Sequence, residues 1–166
     1  MKTILLIEDN ADILANLKEY LEMEGYAILV AKNGKTGIEL AKEFMPDLIV
    51  CDVLMPELDG REVLSVIKNT SKISEIPFIF SSSLSEIFNK AKAIKLGADD
   101  YLLKPFTLET LLKTVKNCIK PKGTRQGNTL KISSDTSFTN IPDYLLRGSW
   151  EMLYTGIIGK NKFSIA

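Results

Sequence analysis

The sequence predicts an α/β protein centred on a five-stranded parallel sheet with helices on both faces. Three observations predict it. Residues 1–120 hold five short apolar runs: ILLI (Ile4 to Ile7), AILVA (Ala27 to Ala31), LIVC (Leu48 to Cys51), PFIF (Pro77 to Phe80) and YLL (Tyr101 to Leu103). Longer stretches between them repeat apolar residues at helical spacing. The third run is continuous, not alternating, as a strand buried on both faces must be, and parallel strands are so buried because crossover helices cover each side.

Taken in order, ILLI ends on Glu8-Asp9-Asn10, and Leu14, Leu17 and Leu21 then stack on one helical face, with Asp9 or Asn10 placed to cap a helix starting near Ala11. Gly25 closes that helix before AILVA. Asn33-Gly34 opens the next, whose apolar face is Ile38, Ala41 and Met45, and Pro46 ends it. LIVC follows, then Asp52 and a turn-rich segment to Gly60. Val63 and Ile67 mark a third helix; Pro77 introduces PFIF; Ile87, Ala91 and Ile94 mark a fourth helix, closed by Gly97. YLL leads to Lys104-Pro105, and Leu108, Leu111, Leu112, Val115 and Ile119 form the fifth helical face. Residues 1–120 therefore read as one domain.

After Lys120 the character changes. Residues 121–129, PKGTRQGNT, read as a linker, and residues 130–166 as a C-terminal tail or a fragment of an output region, with the only Trp and several possible short strands. IPDYLLRGSW and MLYTGIIGKNKF carry enough apolar surface that the tail is expected to dock on protein, within the chain or on a second one.

Composition removes several kinds of chemistry. No histidine occurs, which excludes a Ser-His-Asp triad, His-ligated zinc and a histidine phosphodonor within these residues. Two cysteines, Cys51 and Cys118, both in apolar patterns, fit buried thiols in a reducing compartment better than a disulfide framework. Residues 1–120 carry 15 basic and 18 acidic side chains and residues 121–166 carry 6 and 3, too even a balance to support DNA binding. No apolar stretch approaches a membrane span, and MKTILLIEDN turns acidic too soon for a signal peptide, so a cytoplasmic protein is expected.

In open parallel sheets, ligands bind beyond the carboxyl ends of the strands. Glu8 and Asp9 follow the first run, Asp52 the third, Ser82 the fourth and Lys104 the fifth, so all five converge on one edge. Three close carboxylates repel unless protonated or bridged by a cation. An oxygen-only donor set favours Mg²⁺, which prefers one or two carboxylates with waters and a phosphate oxygen. A carboxylate beside such an ion can attack phosphorus, and Lys104 and Ser82 can then meet the charge on the phosphoryl oxygens.

The segments LLIEDN, PDLIVCDVLMPELDG and GADDYLLKPF, in that order and spacing, resemble the receiver domain of two-component response regulators over residues 1 to about 120. The resemblance implies a flavodoxin-like fold with strand order 2-1-3-4-5, phosphorylated on Asp52 by a partner histidine kinase or histidine phosphotransfer protein. It implies Mg²⁺ held by Asp9, Asp52 and the backbone carbonyl of Leu54, with Glu8 acting through water, and a cis peptide at Lys104-Pro105. It makes Ser82 the hydroxyl drawn to the phosphoryl group and Tyr101 the aromatic that then swings inward. A downstream protein or a homodimer would read the face formed by the fourth helix, fifth strand and fifth helix.

Two departures stand out. The hydroxyl is more often Thr in that family, and three serines compete here; a spacing of 30 residues from Asp52 and 22 from Lys104 selects Ser82. The preceding residue, usually bulky and apolar, is Ser81. In the resembling family the residues two after the aspartate and two after the hydroxyl line the approach of hydrolytic water; here they are Leu54 and Leu84, neither of which can orient a water, so a long phosphoryl lifetime is expected. A non-enzymatic switch is therefore the reading. An aspartyl-phosphate phosphatase or phosphotransferase would want a second acid where Leu54 stands, and a flavodoxin-like electron carrier would want a Gly/Ser/Thr-rich phosphate loop where LIEDN stands.

Overall fold

The computed structural model describes residues 1–83 and 94–120, together with the backbone of residues 164–165. β1 (Thr3–Ile7), α1 (Ala11–Met23), β2 (Ala27–Ala31), α2 (Gly34–Phe44), β3 (Leu48–Asp52), α3 (Gly60–Lys68), β4 (Phe78–Ser82) and β5 (Asp100–Leu103) are followed by β6 (Phe106–Thr107), α4 (Leu108–Ile119) and β7 (Ser164–Ile165). The helix α4 is the fifth helical stretch of the sequence. The sheet runs β2-β1-β3-β4-β5 with every pairing parallel, as expected of a flavodoxin-like receiver. A second, antiparallel ladder pairs Phe106 with Ile165 and Thr107 with Ser164.

Each helix begins where a side chain takes up its free amides. Asn10 accepts from Asp12 N and Ile13 N, Asn33 from Thr36 N, and Thr107 from Thr110 N. Asp59 and Glu62 form a reciprocal capping box at α3. The apolar faces then cover the sheet in two layers. On one face Ile49, Cys51, Phe78 and Phe80 pack with Ile38, Ala41, Val63 and Ile67. On the other, Leu48, Val50, Ile79 and Leu102 pack with Leu14, Leu17, Leu21, Leu111 and Val115. Full burial of one such side chain is worth about 1.5–3 kcal/mol, against about 0.2–1 kcal/mol for an exposed ion pair such as Lys18–Glu22 or Lys116–Glu24. The two apolar layers therefore hold the domain together.

Four details differ from the sequence reading. Met45 is 60% exposed because it leaves α2 as a left-handed C-cap at φ 46°, so its side chain turns off the helical face. Ile94 is 43% exposed. The run AILVA is only partly buried because β2 is a sheet edge. Pro77 stands outside β4, which extends through both Ser81 and Ser82. Ile87, Ala91, Leu84 and the tail apart from residues 164–165 lie outside the described residues.

Candidate functional site

The carboxyl edge of the sheet gathers the polar residues. β1 ends one residue before Glu8, whose amide donates to Ala31 O at 3.1 Å, so the chain stays fastened to β2 as it leaves the sheet. Glu8 is buried and Asp9 exposed. β3 delivers Asp52 as its last residue, 7% exposed. β4 ends on Ser81 and Ser82, both buried. Lys104 follows β5, its amide donating to Ser82 O at 2.6 Å and its peptide to Pro105 cis, as expected.

From β5 the Lys104 side chain crosses the end of β4. Its Nζ donates to Glu8 Oε2 at 2.8 Å and to Asp52 Oδ1 at 3.1 Å, all three groups buried. Oxygen atoms of Glu8, Asp9 and Asp52 lie within 4.8 Å of one another. The buried trio of Glu8, Asp52 and Lys104 is asymmetric. Burial pushes the Asp52 carboxyl up, Lys104 pulls it back only in part, and Glu8 and Asp9 add to the rise, which leaves it at about 6. At Lys104 burial works against the charge, but two carboxylates outweigh it and hold the ammonium above its ordinary value. Cys51 donates its thiol to the Asp52 carbonyl at 3.1 Å, and burial, with Asp52 and Glu8 beside it, holds that thiol well above its ordinary value. It has no thiolate character to offer.

The loop carrying Leu54 is fixed at both ends. Val53 N donates to Ser81 O and Gly60 N to Val53 O, each at 2.9 Å. A Cβ at position 60 would collide with the Asp52 carbonyl oxygen, so only glycine lets the loop close back on the strand that it left. Leu54 itself is 50% exposed. Tyr101 is 7% exposed and packs within the sheet-face cluster containing Phe80. Leu84 lies outside the described residues.

Two features escaped the sequence reading. Glu8 is bonded directly to Lys104, and no spacing pattern reveals a contact across 96 residues. Among the described residues, the buried hydroxyls of both Ser81 and Ser82 have no hydrogen-bond partner. Such groups are uncommon and call for an explanation.

The fold and site together define a parallel α/β domain with a buried acid–lysine cluster at the carboxyl edge of its sheet. The response regulator receiver domain family matches residues 4–116. The chain is 33% identical to "Histidine kinase P4" of Formosa agariphila, covering 91% of this chain and 11% of that protein. It is 34% identical to "Transcriptional regulatory protein PrrA" of Mycobacterium bovis, covering 80% of this chain and 54% of that protein. It thus spans about a tenth of the first relative and about half of the second. A receiver domain structure from Clostridium thermocellum superposes with a TM-score of 0.68 at 31% identity, covering 72% of this chain and 94% of that one. The chain belongs to the response regulator receiver family, the phosphoacceptor signal receivers found in response regulators and in histidine kinase hybrids. These domains are generally switches, not enzymes. No helix among the described residues is long and apolar enough to cross a membrane.

Proposed function

We propose that Asp52 is the phosphoacceptor of this receiver and that its phosphorylation switches the surface read by an output partner. The observation that carries the reading is the buried Asp52 carboxylate, at a strand end and bonded to Lys104, with the Ser82 hydroxyl at the end of the neighbouring strand buried and unpartnered among the described residues. An oxygen of Asp52 attacks phosphorus, the bond from phosphorus to the donor breaks, to nitrogen in a phosphohistidine or to oxygen in acetyl phosphate, and the donor leaves with that electron pair. Lys104 then follows the new negative charge, and Ser82, fully buried with its hydroxyl free, donates to a phosphoryl oxygen. Drawing Ser82 upward fixes the space beside Tyr101, which makes that pair the switch.

The donor set fits Mg²⁺. Asp9 and Asp52 supply carboxylates, Glu8 reaches through water, and the fixed loop offers the Leu54 carbonyl; exposed Asp9 leaves room for the waters this ion keeps. When bound, the ion neutralises charge shared by the carboxylates and the incoming phosphoryl group. The partners that suit this site are a histidine kinase or histidine phosphotransfer protein as donor, and a downstream protein or a second copy as reader, in the cytoplasm. The unit that carries the function is residues 1–120, followed by a linker at 121–129 and a tail at 130–166.

Incubation with Mg²⁺ and acetyl phosphate should add one phosphoryl group, labile to base and hydroxylamine. Asp52→Asn should abolish it. Labelling of that variant at the parent rate would refute the assignment.

A further inference from the structure

We infer that Ser81 is a positioning residue for Lys104, its hydroxyl accepting the third hydrogen of the ammonium when the lysine turns to the phosphoryl group. The inference rests on Asp52 being the acceptor, and it concerns a residue outside the phosphoryl and metal ligands.

Strand register puts Ser81 under the lysine. In β3 and β4, Asp52 pairs with Ser81 and Val50 with Ile79; in β4 and β5, Ser81 pairs with Leu102. Val50, Ile79 and Leu102 belong to the layer packed against α1 and α4. Side chains alternate along a strand, so Asp52, Ser81 and Lys104 rise from that same face, whereas Ser82 follows Phe80 toward the other. Lys104 starts at β5 and ends on Asp52 at β3, and β4 lies between them. Its side chain therefore passes over Ser81.

Depth separates the two serines. Ser81 is level with Asp52 in the register, so its short side chain reaches the height of the Asp52 carboxyl and not the phosphoryl oxygens beyond it. Ser82 stands one residue, about 3.3 Å, further out. Ser81 is therefore set below the phosphoryl group, and its hydroxyl is left for another partner.

Lys104 is that partner. An ammonium has three hydrogens, and Lys104 gives two of them, to Glu8 and Asp52. Among the described residues, the third hydrogen of Lys104 has no acceptor and the Ser81 hydroxyl, on the same face, is a buried acceptor without a donor. Leaving a buried hydroxyl unmatched is unfavourable. The bulky apolar residue usual at this position in the resembling family would fill the space and offer no acceptor. Serine leaves room for the ammonium to settle as it moves.

The test uses the full chain with acetyl phosphate and Mg²⁺, comparing Ser81→Ala and Ser81→Thr with the parent. Ser81→Ala should slow phosphorylation by about threefold to tenfold, and Ser81→Thr, which keeps the hydroxyl, should recover most of the loss. The Lys104 side-chain NMR signal, identified by its absence from Lys104→Arg, should shift between parent and Ser81→Ala after phosphorylation. Slowing of less than about threefold, failure of Ser81→Thr to recover half of the lost rate, or an unmoved Lys104 signal would each overturn the role. So would Ser81→Ala melting below the parent, since deleting an unpartnered hydroxyl lowers stability only if it already packed or bonded at rest. Failure of the acceptor assignment is read separately, from labelling of Asp52→Asn.

Discussion

Two aspartates bracket β3, and they have opposite characters. Asp47 stands just before the strand: its Oδ1 meets Lys2 Nζ at 2.7 Å, and its Oδ2 accepts from Thr3 N at 2.8 Å. Partial burial works against its charge, but Lys2 and the Thr3 amide outweigh that and hold its pKa below the ordinary value. Asp52, five residues on, is more deeply buried and shares a single lysine with Glu8; it rises to about 6. The difference shows that position in the strand does not decide the chemistry. Asp47 has its negative charge matched and acts as a staple between β1 and β3, whereas Asp52 is left partly unmatched and would be relieved by a cation.

The largest expected contrast is in labelling. Asp47→Asn should be phosphorylated by acetyl phosphate within about twofold of the parent rate, while Asp52→Asn should fall by a factor of 100 or more, roughly 2.7 kcal/mol or greater in barrier. Equal loss in both would break the comparison.

Next comes stability. Because the folded Asp52 pKa of about 6 lies above its unfolded value, ionisation of this group opposes folding: the penalty is absent below about pH 4, grows toward pH 6 and is complete above it. In metal-free buffer at pH 7.5, Asp52→Asn should therefore stabilise the domain, by on the order of 2–3 kcal/mol, and the gain should vanish near pH 4. Urea melts at both pH values measure it. A gain that persists at pH 4 would assign the effect to packing.

A smaller effect is expected in lifetime. Leu54→Asn combined with Leu84→Glu supplies groups able to orient water and should shorten the phosphoryl lifetime about tenfold, roughly 1.4 kcal/mol. Phosphate release after removal of the donor is the readout. The smallest effect belongs to the staple: Asp47→Ala should destabilise by about 1 kcal/mol at neutral pH. A lowered pKa gives stability that is present above the unfolded value and lost as pH falls through the folded one, so the difference from the parent should shrink only in strongly acidic buffer.

The sheet was legible because its five apolar runs and the helical repeats between them obey two distinct periods. The converging acids, serine and lysine were legible because strand ends in a parallel sheet share one edge. Sheet order was not contained in the periodicity: it came with the family resemblance, and AILVA looks as buried as LIVC until it is known to lie at the edge. Met45 deceived because helical spacing says nothing of where the last residue leaves the helix. The Glu8–Lys104 bond and the unpartnered Ser81 hydroxyl were hidden for a different reason. Both depend on how far a side chain reaches across neighbouring strands, and sequence spacing along one strand carries no information about that distance.

The close approach of Gly60 to the Asp52 carbonyl bears on how this chain tolerates mutation. A Cβ there would collide with that oxygen and stand 3.0 Å from Val53 Cα, both of them main-chain atoms that cannot rotate away. Under a screen that retains every folded molecule, position 60 should be confined to glycine while position 52 drifts freely, its carboxylate being a burden to the resting fold. Under a screen for signal response, both should be confined. The difference between the two substitution spectra would separate, residue by residue, what heredity preserves for the architecture from what it preserves for the message.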